Sequence, residues 1–363
     1  MLNWLTRYAF VRDALHFDES GGLLESVLDV GCGPHGLSIV APLASFAGVD
    51  VEFPAPVAAG MTAFRNVPGP LPFADAAFDT VVCLDVLEHV PPADRASFVA
   101  DLARVAARRV LIACPSDEGG WIDAHLRSAY AARGIRAPSW LNEHDEFGLP
   151  TAAEIAAHCA APAGFTATEL VMTNGLLSTL AVIADMLPEY ADRARTEFAL
   201  ERENWIKLFS AARFGACYRK AYVLERVEPR VAIADPANLP ETALAAARCA
   251  TFTRDGDRVW DLRPAVPVAP VGPDPLPEAA PELAPEYRAA RPGPAVRLLL
   301  RPAWRRPETW LPALATYVEH TDDSSPTELV IDAGADDTPA AVSAEMLVLA
   351  CEALSPSSAA NLT

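Results

Sequence analysis

Along the first two-thirds of the chain, apolar positions switch between the short period of strands and the longer period of helices. Apolar, β-branched runs predict strands at residues 27–30, 47–52, 78–84 and 109–114. Helical spacing predicts helices at 2–19 and 93–107; in the second, Phe98, Leu102 and Val105 share one face. Strands that alternate with helices indicate an α/β fold built on a largely parallel sheet.

The pattern continues to about residue 227. We expect helices at 121–134, 151–161, 176–188 and 190–210, and strands at 165–172 and 217–226 that pair antiparallel. Residues 139–150 show no clear period and are predicted to be irregular. Between 53 and 72 prolines break a helix, and only 61–67 can form a strand.

A glycine-rich turn follows the first strand. Its pattern is G-x-G-x-x-G, formed by Gly31, Cys32, Gly33 and Gly36. Residues 37–45 favour a helix, which Pro42 keeps short or kinked. Strand, glycine turn and helix in this order are typical of the nucleotide-binding corner of a doubly wound fold, where backbone passes close to a ligand.

Asp29 separates two classes of ligand for this turn. A dinucleotide would bring a pyrophosphate to the helix start, and a carboxylate two residues before the first glycine repels it. S-adenosylmethionine (SAM) carries a sulfonium and an ammonium group, which a carboxylate favours. The residues therefore favour SAM, while a dinucleotide or a tight turn without ligand remains an alternative.

Other cofactor contacts are expected where later strands end. Asp50 lies at the end of the second strand, where its carboxylate can accept both ribose hydroxyls, with Val51 beside it. Leu84 and Asp85, at the end of the fourth strand, are expected to line the methionine moiety largely through backbone.

Four motifs together resemble class I SAM-dependent methyltransferases of the small-molecule type, over residues 20–227. They are residues 28–33, 48–50, 71–79 and 81–90. The resemblance implies a doubly wound, Rossmann-like, seven-stranded sheet with an antiparallel last strand, SAM as cofactor, and methyl transfer as activity. The acid that holds the adenine amino group in most relatives is missing here, and Asn66 and Val67 are expected to serve in its place.

Two histidines are candidate catalytic residues. His89 follows Glu88 just after the fourth strand, and a histidine titrates near neutral pH, so it can take the proton of an acceptor hydroxyl. His144 lies in a segment after the fifth strand, where a lid over the acceptor would attach. We expect no bound metal, because the contiguous residues His144, Asp145 and Glu146 point in different directions.

Charge and cysteine content narrow the partners. The 363 residues contain 48 acidic against 29 basic side chains, a net charge of −19, which argues against nucleic acid as a partner. Seven cysteines without metal spacing suit a reducing cytoplasm. No apolar run approaches the about 20 residues of a membrane span.

The composition and periodicity of the chain change after residue 227. Residues 228–294 are mixed and then proline-rich, which predicts an extended linker. Residues 295–363 follow a β-α-β-α pattern that resembles the opening of a glycosyltransferase-type nucleotide-sugar module. We therefore expect a methyltransferase domain at 1–227, a linker, and a small α/β segment that serves as a further module or binds a partner protein.

The functional prediction is methyl transfer from SAM to a small molecule, with a saccharide or secondary-metabolite hydroxyl as the expected acceptor. Two alternatives stay open. One is an NAD-dependent oxidoreductase, which Asp29 disfavours. The other is a non-catalytic SAM-binding or scaffold protein, which the unusual 53–72 segment would allow.

Overall fold

The computed structural model describes residues 2–53, 56–66, 69–186, 188–213, 217–247, 253–255, 259–261, 296–300 and 327–331. The chain divides into two compact units. The first holds all described residues from Leu2 to Asp261, and the second holds the two short strands that follow.

One nine-stranded sheet organises the first unit, in the order β6-β7-β5-β4-β1-β2-β3-β9-β8. Its strands are β1 Val27–Val30, β2 Phe46–Asp50, β3 Met61–Arg65, β4 Phe78–Leu84, β5 Ala106–Pro115, β6 Phe165–Leu170, β7 Arg219–Arg226, β8 Thr253–Asp255 and β9 Val259–Asp261. The chain runs outward from β1 through β2 to β3 and then returns to β4 on the other side of β1. This reversal between β1 and β4 is the switch point at which doubly wound sheets bind ligands.

Eight helices among the described residues surround or flank this sheet. They are α1 Leu2–Ala14, α2 Arg95–Val105, α3 Gly120–Ala132, α4 Ser139–Phe147, α5 Ala152–Ala160, α6 Gly175–Met186, α7 Pro188–Ala211 and α8 Leu239–Ala246. The two central strands have almost no exposed residues, as expected for parallel strands covered on both faces. The α/β, doubly wound prediction is confirmed.

The far edge of the sheet contains the predicted antiparallel element. Strand β7 pairs antiparallel with β5 on one side and with β6 on the other. Strands β1 to β5 pair in parallel, so β7 is the strand that departs from the parallel core.

The opposite edge extends past the seven strands implied by the resemblance. Strand β9 pairs in parallel with β3, and β8 forms a hairpin with β9. Helix α8 buries Leu239, Ala243 and Ala246, and the Ala74 amide donates a 2.9 Å hydrogen bond to the Ala246 carbonyl. The sheet therefore continues beyond residue 227, where we expected the domain to end. A short strand in mixed sequence shows too little periodicity to be recognised without its partner.

Two local predictions were wrong. Residues 139–147 form helix α4 rather than an irregular loop; Leu141 and His144, three positions apart, give it a buried side, and Gly148 ends it in a left-handed conformation. Conversely, the helix expected at 37–45 is a single turn at Gly36–Ile39. Pro42 removes an amide donor that a longer helix would need.

The second unit shows one parallel pair, β10 Val296–Leu300 with β11 Thr327–Ile331. These strands match the predicted β positions of the tail. The proline-rich linker and both predicted tail helices lie outside the described residues. Within the residues described, no helix combines the length and apolarity needed to cross a membrane.

Candidate active site

The glycine turn leaves β1 with three residues in the left-handed region. Gly31, Gly33 and Gly36 have φ angles of 70°, 52° and 47°, which residues with a side chain rarely adopt. A Cβ on Gly31 would lie 2.2 Å from Cγ2 of Val86, and one on Gly36 would lie 2.6 Å from Oδ2 of Asp29. The turn therefore requires glycine for both conformation and space. Its backbone is brought to the carboxyl end of β1.

Asp29 stabilises this turn from behind. Its buried carboxylate accepts a 2.8 Å hydrogen bond from the Leu37 amide and one of 3.0 Å from the Tyr8 hydroxyl. Burial raises the pKa of Asp29 to about 7, against the opposing effect of these hydrogen bonds. The structure thus gives this side chain a role in shaping the turn. The sequence argument had assigned it to the charge of the cofactor.

Asp50 connects the end of β2 to the same turn. One carboxylate oxygen accepts the Gly33 amide at 2.7 Å, and the other accepts the Val51 amide at 2.7 Å. Burial raises the pKa of Asp50, and these amide donors oppose the rise. Oδ1 also accepts a longer hydrogen bond of 3.5 Å from the Glu52 amide, whereas Oδ2 accepts only the Gly33 amide and can still accept a ribose hydroxyl.

The remaining residues predicted for the adenosine side divide by exposure. Cys32 is fully buried, so only its backbone is available to a ligand, whereas Val51 is about half exposed. Asn66 is half-buried. Its backbone amide donates a hydrogen bond of 2.9 Å to the backbone carbonyl of Asp50, which places the two residues side by side. Val67 lies outside the described residues.

Leu84 and Asp85 end β4 at the switch point. Leu84 is buried, and Asp85 has a left-handed φ of 55°, unusual for a residue with a side chain. The Asp85 carboxylate accepts two hydrogen bonds of 2.6 Å from Arg219 and one of 3.0 Å from Arg7. Burial alone would raise the pKa of Asp85, but the two guanidinium groups lower it to about 2.

Helix α1 forms a wall beside the glycine turn, a role that the sequence did not reveal. The Trp4 ring lies over the turn, and a Cβ on Gly33 would be 2.9 Å from its Cη2. The Arg7 guanidinium stacks 4.1 Å from the centre of that ring, and its Nε is buried without a hydrogen-bond partner. The amides of Leu2 and Asn3 donate to the Asp185 carboxylate, which fixes the start of the helix.

The two predicted histidines come together on the other side of Asp85. His89 follows β4 in a short turn at Leu87–His89, and His144 lies on α4; their ring centroids are 5.1 Å apart. Glu88 lies 3.7 Å from His89, measured between Oε1 and Nε2. We call Glu88, His89 and His144 the histidine cluster.

A carboxylate outside the histidine cluster lies beside each imidazole, and the one beside His144 is hydrogen-bonded to it. Nδ1 of His144 lies 2.7 Å from Oδ2 of Asp123, and Nδ1 of His89 lies 2.8 Å from Oε2 of Glu143. Burial and the neighbouring His144 lower the pKa of His89, while Glu143 opposes the shift. Burial and the Asp85 charge raise the pKa of Glu88 well above its usual range.

Arg95 braces the two segments that carry the cluster. It is buried, and its guanidinium donates to the Val90 carbonyl at 3.1 Å and to the Gly148 carbonyl at 2.6 Å. One carbonyl follows His89 in the chain and the other follows α4. This contact between distant segments gives no local signal in the sequence.

Asp145 and Glu146, which the sequence grouped with His144, do not join the cluster. Asp145 is exposed and pairs with Arg127 at 2.9 Å, and Glu146 is exposed. Because the segment is a helix, consecutive residues face different directions, and only His144 reaches the cluster.

A family model described as a methyltransferase domain matches residues 28–114, from β1 to β5. This segment contains Asp29, the glycine turn at residues 31–36 and Asp50, which together we call the cofactor corner. No curated protein matches the chain. Among solved structures, a magnesium protoporphyrin IX methyltransferase from Synechocystis with bound S-adenosylhomocysteine (SAH) is 18% identical, over 62% of this chain and 81% of its own, with a TM-score of 0.34. A geranyl diphosphate C-methyltransferase from Streptomyces coelicolor, in complex with Mg²⁺, geranyl diphosphate and SAH, is 15% identical over 61% and 77%, with a TM-score of 0.36.

Over residues 28–114 the chain is similar to a methyltransferase domain, and its strand order and glycine turn are those expected of the class I SAM-dependent methyltransferases. SAM is the cofactor of that class, and the residues present fit it. The glycines leave backbone unobstructed by their own side chains, Oδ2 of Asp50 can accept a further hydrogen bond, and the Arg7 Nε is a buried donor without a partner. The glycine turn, Asp50 and Asp85, which pairs with Arg7, lie at the carboxyl ends of β1, β2 and β4, as an extended cofactor requires.

Proposed function

We propose that this protein transfers a methyl group from SAM to a small-molecule acceptor. The observation that carries the proposal is the cofactor corner, in which Asp50 reaches from β2 to the amide of Gly33 beside three left-handed glycines. We assign the ribose to Asp50, the adenine end to Val51, Asn66 and the neighbouring Val67, and the methionine moiety to the backbone of Gly31, Leu84 and Asp85. Arg7 joins this set as a donor for the methionine carboxylate.

We further propose that the acceptor lies against the histidine cluster. SAM supplies a methyl carbon that its sulfonium already activates, so the protein must orient the acceptor and exclude water. A hydroxyl acceptor must also lose a proton. His89 has a side chain about 24% exposed, and its pKa is lowered, so it is held neutral and able to accept a proton at neutral pH. His144 is nearly fully buried and serves to position His89 and the acceptor.

The nature of the acceptor follows from charge. With a net charge of −19, the protein repels polyanions, which favours a neutral or cationic small molecule over nucleic acid. A saccharide or secondary-metabolite hydroxyl fits this requirement. Five cysteines in the described part of the chain form no disulfide, and four of them are buried, which agrees with the cytoplasmic location that we propose.

Two alternatives make different predictions about binding. An NAD-dependent oxidoreductase would bind NAD in the same corner, and a non-catalytic protein would bind SAM without turning it over. Calorimetry with SAM and with NAD tests the oxidoreductase alternative, because we expect SAM to bind and NAD not to bind. Release of SAH in the presence of a panel of hydroxylated metabolites distinguishes a methyltransferase from a non-catalytic SAM-binding protein.

The Asp50→Ala variant tests whether SAM binds at the cofactor corner. Losing a charged hydrogen-bond partner costs about 1.5–3 kcal/mol, or roughly ten- to a hundred-fold in SAM affinity. Asp94→Ala is the matched control, because Asp94 is an exposed carboxylate that makes no side-chain cap to α2. Equal SAM affinity in Asp50→Ala and the parent would place the cofactor elsewhere.

A further inference from the structure

The histidine cluster has the composition of a metal site assembled from two distant segments. Glu88 and His89 come from the turn after β4, and His144 comes from α4. One ligand atom from each residue lies within 4.8 Å of the other two. Two imidazoles and one carboxylate are donors that divalent first-row transition metals prefer.

Unsatisfied buried atoms provide an independent indication. Oε2 of Glu88 and Nε2 of His144 are inaccessible to solvent and have no hydrogen-bond partner, in residues that are 1% and 5% exposed. Buried polar atoms of this kind are rare, since leaving one unpaired costs free energy. A cation bound between them would pair both.

The surrounding carboxylates match the outer shell of a metal site. Asp123 accepts from Nδ1 of His144 and is itself held by a 2.7 Å hydrogen bond from the Tyr218 hydroxyl. This contact places the His144 proton on Nδ1 and leaves the lone pair on Nε2 free toward the cluster. Oε2 of Glu143 lies at an ion-pair distance of 2.8 Å from Nδ1 of His89, without the geometry of a hydrogen bond. Histidines that bind metals usually have their other ring nitrogen oriented by a carboxylate.

We propose that Glu88, His89 and His144 bind a divalent transition-metal ion such as Zn²⁺ or Mn²⁺, with Asp123 and Glu143 as orienting residues. Our expectation of no metal considered only the contiguous residues 144–146, whereas the fold brings His144 to Glu88 and His89. Three protein ligands leave coordination positions open for water or for an acceptor oxygen. With an ion bound, His89 would be a ligand, and the ion rather than His89 would promote loss of the acceptor's proton. That link to the acceptor rests on the proposed function; the ion site itself does not.

The test uses the full chain, freed of metal with a chelator and titrated with Zn²⁺ or Mn²⁺ alone. We expect one ion per chain by calorimetry and elemental analysis, and ligand-field absorption bands when Co²⁺ is the probe. Glu88→Gln and His89→Gln should each weaken the ion by at least about a hundred-fold, and Asp123→Asn by roughly ten- to a hundred-fold. His158→Gln, which changes a half-buried histidine on α5, should bind like the parent.

Several results would overturn the proposal. One is a parent protein that binds none of the three ions. Another is a Glu88→Gln or His89→Gln variant, folded by circular dichroism, that binds them as the parent does. If His144→Gln or Asp123→Asn fails to fold, His89→Gln still decides, because the side chain of His89 is partly exposed.

SAM calorimetry on the metal-free protein separates this proposal from the proposed function. If the chain binds SAM and transfers the methyl group but binds none of the three ions, the metal proposal fails and the proposed function stands. If the ion binds stoichiometrically but SAM does not, the metal proposal stands and the proposed function fails.

Discussion

The cofactor corner and the histidine cluster lie on either side of Asp85, yet they are assembled differently. The cofactor corner comes from consecutive residues, 29–36, with Asp50 added from the next strand. The histidine cluster needs two segments more than fifty residues apart, brought together by α4 and braced by Arg95. A motif search therefore finds the corner, and only the fold completes the cluster.

The two regions also differ in how their charges are satisfied. Asp29, Asp50 and Asp85 all have partners in the chain, from backbone amides, a tyrosine hydroxyl or arginines. In the cluster, Glu88 and His144 each keep an atom without a partner. The carboxylates of the corner are therefore held by the protein itself, whereas the carboxylate and imidazole of the cluster are only partly paired.

The largest effect is expected from a substitution in the histidine cluster that leaves the cofactor corner unchanged. His89→Gln should lower turnover by about 10²–10⁴, because it removes either the proton acceptor or a metal ligand, while SAM affinity stays near that of the parent. Initial rates of SAH formation, with SAM affinity by calorimetry, measure both. The His158→Gln variant controls for loss of any histidine. A His89→Gln protein that loses SAM binding and turnover together would show that the two regions are not separable.

The next largest effect is expected from a substitution in the cofactor corner that leaves the histidine cluster unchanged. Gly33→Val places a branched side chain at a left-handed residue, within contact of Trp4, and should reduce SAM affinity by about a hundred-fold or more. Gly134→Val is a matched control, because Gly134 has a φ of 63° and nothing within 4 Å of an added Cβ. Both variants should lose similar stability, about 1–2 kcal/mol. Comparable loss of SAM binding in both would mean that strain, not the site, is responsible.

The geometry of the corner was predictable because its signals are local. The apolar strand and the glycine spacing adjoin one another, and the acid at residue 50 ends the next strand, about twenty residues after Asp29. The role of α1 was not predictable, since Trp4, Arg7 and Tyr8 gain their partners only when the helix packs against the glycine turn and β4. Strands β8 and β9 were missed because three-residue strands show no period of their own.

A smaller effect concerns pH and distinguishes Asp29 from Asp85, whose pKa is lowered. Burial raises its pKa to about 7 when folded, so between the unfolded value near 3.8 and 7 the folded state holds one more proton. Stability should therefore fall as pH rises through this range, by about 1.4 kcal/mol per pH unit from this group. Urea denaturation of Asp29→Asn at pH 5 and 7 should show a flatter dependence than the parent. An identical slope in both would remove Asp29 as the cause.

The smallest effect is expected from removing the tail. A chain ending at residue 262 keeps α8, β8 and β9 and should bind SAM with unchanged affinity.

A chain ending at residue 235 lacks α8, β8 and β9. Their loss uncovers the edge of β3 and removes the contact between Ala74 and Ala246, so this shorter chain should aggregate or lose stability. Size-exclusion chromatography and thermal denaturation compare the two. If the shorter chain matched the longer in both, the added strands would be dispensable and the boundary near residue 227 would hold.

A crystal structure with SAH bound tests the central claim most directly. The account predicts the ribose hydroxyls on the Asp50 carboxylate, the methionine carboxylate near Arg7, and the sulfur at the ends of β1 and β4, facing the histidine cluster. SAH bound away from the glycine turn, or in the turn with its sulfur facing away from Glu88, His89 and His144, would contradict it.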